Sequence, residues 1–110
     1  MLPLSGRWGG GPAHPLEHVQ RLVQRSSYRI TGTSWEGARA LGFDMQDIVD
    51  CVLELSEADF HKSMPSTSYP GRWQDVYRTH YLDEDVYLKL QVVRVADGAE
   101  VVVIVSFKER

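Results

Sequence analysis

Val86-Tyr-Leu-Lys-Leu-Gln-Val-Val-Arg-Val95, then Ala96-Asp97-Gly98-Ala99, then Glu100-Val-Val-Val-Ile-Val-Ser-Phe-Lys-Glu109 is the stretch that decides the fold. Two β-branched runs flank an Asp-Gly pair, the strongest short-range signal for a β-hairpin. A two-residue type I′ loop at Asp97-Gly98 suits both residues, because each must adopt φ > 0. Residues whose numbers sum to 195 then lie opposite one another. This register predicts one apolar face of Leu88, Leu90, Val92, Val101, Val103, Val105 and Phe107, which is core. On the other face Tyr87 falls opposite Lys108, and Lys89 opposite Ser106. Taken alone, these pairs read as packing plus solvation at a sheet surface.

Upstream, Trp73 to Tyr81 alternates as a strand with aromatics at Trp73, Tyr77 and Tyr81. A four-residue loop, Leu82 to Asp85, pairs Tyr81 with Val86 and turns those aromatics to the core. Gln74, Arg78 and His80 then share the face of Tyr87 and Lys108. A loop one residue longer or shorter reverses the assignment. Pro65 to Arg72 is a loop, and Ser56 to Met64, which opens Ser-x-x-Asp, reads as a short helical turn.

The first half of the chain is helical. Pro15 precedes Leu16, Val19, Leu22 and Val23 at helical spacing. Tyr28 to Thr31 is a short strand candidate. Thr33-Ser-Trp-Glu36 has capping-box spacing for a helix that Gly42 stops, and Asp44 starts another with Met45, Ile48, Val49, Val52 and Leu53 as its buried stripe. Met1 to Ala13 holds four glycines and two prolines. The expectation is a loose arm over 1–14 and one α+β domain over 15–110, with N-terminal helices packed on the apolar face of a C-terminal antiparallel sheet of at least three strands.

Composition narrows the function. The 110 residues suffice for one core, and 43% hydrophobic with 25% charged is ordinary for a globular protein. A single cysteine, Cys51, leaves no disulfide framework or cysteine-based zinc site and fits a reducing cytoplasm. No apolar run approaches the ~20 residues of a membrane helix, and no signal peptide is seen. Residues 1–60 carry five Lys/Arg against eight Asp/Glu, and residues 61–110 seven against seven, which gives the net −3. That balance argues against a general nucleic-acid binder but allows a local basic site.

Chemistry is sparse. His14, His18, His61 and His80 form no ligand motif, and no phosphate-binding glycine loop is present. What remains is the polar sheet face: Gln74, Arg78, Tyr87, Lys89, Ser106 and Lys108, with His61 and Lys62 from the preceding turn. Such a set suits a phosphodiester. Arg and Lys neutralise phosphate, Tyr stacks or donates, and Gln orients. RNA needs no metal to be cut, because its 2′-hydroxyl is the nucleophile. The residues by themselves weigh more towards a solvated sheet face.

Four blocks carry a resemblance. Leu55-Ser-Glu-Ala-Asp-Phe-His-Lys-Ser-Met64, Trp73-Gln-Asp-Val-Tyr-Arg78, Val86-Tyr-Leu-Lys89 and Val105-Ser-Phe-Lys-Glu109 resemble the MqsR (motility quorum-sensing regulator) toxins, from about Pro15 to Arg110. The resemblance implies a RelE-like fold and a toxin that cleaves mRNA at GC-containing triplets such as GCU, without the ribosome, a metal or another cofactor. It also implies an MqsA-type antitoxin with a zinc-binding domain and a helix-turn-helix domain. By motif match the implied catalytic set is Lys62, Gln74, Tyr87 and Lys108. His61, Arg78, Lys89 and Ser106, the remaining residues of the polar face, are the expected RNA contacts. The competing reading is a non-catalytic RNA-binding or antitoxin-binding regulator that keeps the fold. This chain departs from the family in three ways: histidine at position 61 where the best-known member has tyrosine, a longer hairpin, and an acidic balance.

Overall fold

The computed structural model describes residues 11–67 and 69–110. Helix α1 (Leu16–Gln24) starts after Pro15 and buries Leu16, Val19, Leu22 and Val23, the expected stripe. Helix α2 (Gly32–Ala40) starts two residues before the predicted capping box, because Thr31 rather than Thr33 caps it: Ser34 N–H donates to Thr31 Oγ1. Gly42, at φ 83°, ends α2 with Phe43 N–H donating to Ala38 O. Helix α3 (Met45–Glu54) is capped reciprocally by Asp44 and Asp47 and buries Ile48, Val49, Cys51 and Val52. Met45, expected in that stripe, is exposed at 48%. It is the first helical residue, where the stripe has not yet reached the sheet. No helix among the described residues is long and apolar enough to cross a membrane.

Five strands follow the helical layer or thread through it: β1 (Tyr28–Ile30), β2 (Phe60–Pro65), β3 (Trp73–Tyr81), β4 (Glu84–Arg94) and β5 (Glu100–Glu109), in the spatial order β1-β5-β4-β3-β2. The architecture is α+β, with helices on one face. The sheet is antiparallel except for β1, which runs parallel to β5. The stretch read as helical, Ser56 to Met64, opens on a Ser56–Asp59 turn in which Ser56 N–H donates to the Asp59 carboxylate, yet only one 3₁₀ turn (Glu57–Asp59) forms before β2 begins.

Both hairpin loops differ from expectation, and the differences cancel. The β4–β5 loop has three residues, not two: Val95 N–H donates to Ala99 O, and Gly98 sits at φ 90°. Near the loop, partners therefore sum to 194, as in Val92 with Val102 and Leu90 with Ile104. A β-bulge at Val105 then restores the sum of 195, pairing Lys89 with Ser106 and Tyr87 with Lys108. The core face of β5 is thus Val102, Ile104 and Phe107, and the predicted Val101, Val103 and Val105 turn away from the helix-side core. Between β3 and β4 the loop is Leu82-Asp83, two residues at φ 48° and 69°, instead of four. The change is even, so Tyr77 and Tyr81 still join the core.

Helix α2 fixes the bulge. Thr31 Oγ1 donates to Val105 O, while Ser34 Oγ and Thr31 N–H donate to Ile104 O. One turn on, Gly37 lies against the end of β5 so closely that a Cβ there would stand 1.8 Å from Phe107 O. Of the stretch read as a loose arm, residues 1–10 lie outside the described residues. Ala13 and His14 are tied down, each donating its backbone N–H to the Asp75 carboxylate.

Candidate active site

Alternation along β2 to β5 gathers the polar face into cross-strand rows. At the turn end of the β3–β4 hairpin, His80 pairs with Asp85, whose backbone oxygen accepts from Arg110 N–H. The next row is Arg78, Tyr87 and Lys108. Behind it lie Lys62, Val76, Lys89 and Ser106, and behind those Met64, Gln74 and Val103. The same register sets Gln91 between Gln74 and Val103. Lys62 reaches this face because β2 carries a bulge between Phe60 and Lys62, with His61 as the extra residue.

Tyr87 is the hub. The Lys108 ammonium stands 5.3 Å from its ring centroid and the Lys89 ammonium 6.0 Å away. Cation–π contacts of exposed groups contribute only about 0.5–1 kcal/mol, so their value here is orientation. His61 is held below its ordinary value near 6.5, first by desolvation and then by the charges of Arg78, Lys62 and Arg110. That places cations from β2, β3 and the C-terminus within electrostatic reach of one ring. His80 Nδ1 lies 3.0 Å from Asp85 Oδ1, and this hydrogen bond lowers the Asp85 pKa.

The charge pattern explains how an acidic chain keeps a basic site. Five of the seven Lys/Arg after residue 60 lie on this face: Lys62, Arg78, Lys89, Lys108 and Arg110. The one carboxylate that the register places among them is Asp85, engaged by His80. Glu100 faces the other way and bonds His18 of α1 at 2.8 Å.

The structure thus brings Lys62, Gln74, Tyr87, Lys108, His61, Arg78, Lys89 and Ser106 to one face. They are not equally open: Gln74 is buried at 3% exposure, Tyr87, Lys89 and Ser106 are half-buried, and Lys108, Arg78, Lys62 and His61 are exposed. Sequence reasoning left out Arg110, which the 195 register already sets opposite Asp85, and Gln91, whose neighbour Gln74 shares its burial. Among the described residues, the buried Oε1 atoms of Gln74 and Gln91 have no hydrogen-bond partner. Cys51 lies elsewhere, in the helical core, and burial pushes its thiol up to about 12, so it is no nucleophile. Among the described residues no group of three His, Cys, Asp or Glu is placed to hold a metal ion.

Chemically, the face offers fixed cations for a phosphate, a phenol between two ammoniums, and a histidine kept neutral at pH 7. The MqsR toxin family, described as "Motility quorum-sensing regulator, toxin of MqsA", matches residues 11–109. The mRNA interferase toxin MqsR of Escherichia coli (strain K12) is 38% identical over 99 residues, covering 90% of this chain and 95% of that protein. With a match that spans nearly the whole fold and includes every residue of the polar face except Arg110, this chain belongs to the MqsR toxin family.

Proposed function

We propose that this chain is an endoribonuclease, the toxin of a toxin–antitoxin pair, and that the face centred on Tyr87 and Lys108 cuts mRNA. The observation that carries the proposal is that pairing: tyrosine and lysine directly opposite, 5.3 Å from ammonium to ring, inside a surface with five cations. In the reaction the RNA 2′-oxygen attacks the adjacent phosphorus and the bond to the 5′-oxygen breaks. A base takes the 2′-hydroxyl proton and an acid returns one to the leaving oxygen. Lys108 neutralises the scissile phosphate, and Tyr87 holds or protonates a phosphate oxygen. Lys62 and Gln74 complete the set, Lys62 as a second cation and Gln74 as an orienting amide. His61, Arg78, Lys89 and Ser106 contact the flanking RNA.

Family membership extends the proposal. Cleavage falls at GC-containing triplets such as GCU, on free mRNA, with no metal in this chain, and takes place in the cytoplasm. The partner is an MqsA-like antitoxin with a zinc-binding and a helix-turn-helix domain. The test is to incubate purified protein with a defined RNA in EDTA and map the new ends. The expected products carry a 2′,3′-cyclic phosphate (or the 3′-phosphate from it) and a 5′-hydroxyl. Products with a 5′-phosphate, or activity only with Mg²⁺, would refute the chemistry. Tyr87→Phe and Lys108→Ala should each lower turnover by roughly 10²-fold at an unchanged melting temperature. RNA that is bound but never cut would favour a non-catalytic regulator.

A further inference from the structure

Asp75 is completely buried, on the helix side of β3, between two residues of the polar face, Gln74 and Val76. Its Oδ1 accepts from Ser63 Oγ and, at 2.8 Å, from Ala13 N–H, while Oδ2 accepts from His14 N–H at 2.9 Å. His14 also reaches β3 directly, its Nε2 lying 2.9 Å from Trp73 O. Three segments distant in sequence therefore meet on one carboxylate.

A buried carboxylate, even when hydrogen bonded, is seldom more stabilising than a well-packed apolar residue. Its placement here makes sense through its neighbours. Ser63 pairs with Asp75, Lys62 with Val76 and Met64 with Gln74. The Ser63–Asp75 bond is thus a side-chain pin on one face of the sheet, directly behind Lys62 and Gln74 on the other. Strand β2 has particular use for a pin. It is an edge strand of six residues, laddered on one side only and broken by the bulge at His61.

We propose that Asp75 is a positioning residue: through Ser63 and the backbone of Ala13 and His14 it locks β2 onto β3, and so fixes the Lys62 ammonium relative to Gln74 and the Tyr87–Lys108 row. This rests on the reading of Lys62 as a group that acts on RNA. Asp75 touches no substrate, and its effect passes through Lys62.

The test is a double-mutant cycle in kcat and KM on a defined RNA, with each protein shown to be folded by near-UV circular dichroism. The proteins are wild type, Asp75→Asn, Ser63→Ala, Lys62→Ala, and the two doubles that add Asp75→Asn or Ser63→Ala to Lys62→Ala. Asp75→Asn should lower kcat about tenfold or more with KM little changed, since a misplaced group costs turnover. Ser63→Ala should act in the same direction, about threefold. In the Lys62→Ala background neither change should lower kcat further. A full additional loss in that background, or wild-type kcat in Asp75→Asn, would overturn the proposal. Wild-type kcat in Lys62→Ala would instead overturn the reading of the site. If Asp75→Asn does not fold, Ser63→Ala, which removes only the hydroxyl's bond to Asp75 and the one it accepts from Ala13 N–H, decides the matter alone.

Discussion

His61 projects from a bulge into a ring of positive charge, and this decides its protonation at neutral pH. Its pKa lies below the ordinary 6.5, from desolvation and then from Arg78, Lys62 and Arg110, so it is neutral at pH 7 and able to accept a proton. A depressed histidine favours the fold above the unfolded value and disfavours it as pH falls through the folded one. If His61 is the base, the pH–rate profile of kcat/KM has an acid limb below pH 6.5, and His61→Phe removes it along with several-fold of the rate. Full activity of His61→Phe from mildly acidic to mildly basic pH would leave the ring a stacking role. Gln91 makes a different case. Its buried Oε1 accepts nothing from the described residues, a loss of about 1–3 kcal/mol for such a group. Gln91→Met is nearly volume-conserving and should raise the melting temperature. If the oxygen serves the RNA, activity falls as stability rises, and a lowered melting temperature would show that the oxygen is paired in solution.

At the level of elements, α2 and β5 act as one unit. Thr31 and Ser34 hold the bulge carbonyls, and Gly37 lets the helix backbone touch Phe107 O. Gly37→Ala should cost about 1–3 kcal/mol or more, because the obstacle is backbone and cannot swing aside. The strand would shift at Lys108, so turnover should fall further than the folded fraction in a paired thermal-melt and cleavage assay. The same elements show what the sequence could and could not reveal. Helical stripes in α1 and α3 were legible because apolar and polar residues alternate at period 3.6. The phase of β5 was not, because Val101 to Val105 are all β-branched and give no contrast between faces. Strand β2 hid behind a Ser-x-x-Asp turn that starts a single 3₁₀ turn, and its bulge spoils the period-2 pattern. The Tyr87–Lys108 pairing was read correctly because an extra loop residue and an extra bulge residue offset one another. The clasp at Asp75 joins residues about 60 positions apart and leaves no local signature.

For the molecule as a whole, the separation of charge matters more than its sum. A net −3 coexists with a face of five cations, because every acidic group but Asp85 lies on the helices, the loops or the helix side of the sheet. Binding to single-stranded RNA should therefore weaken with salt, with a slope of about −0.7 per phosphate neutralised. With an RNA lacking the 2′-hydroxyl at the scissile position, Lys89→Ala and Arg110→Ala should each flatten that slope by about 0.7 in an anisotropy titration. An unchanged slope in either variant would place that cation away from the phosphates.

The bulge at Val105 also divides the long hairpin mechanically. Beyond it the strands run in one register and before it in another, with α2 gripping the joint. A residue gained or lost at the tip is absorbed at this slip joint, and the active-site rows need not move with it. The outer end of the hairpin, from Val93 to Val101, is thereby released from the precision that the active-site rows require. It is the part of the fold in which length is free to drift, and an epitope spliced between Asp97 and Gly98 should leave RNA cleavage intact.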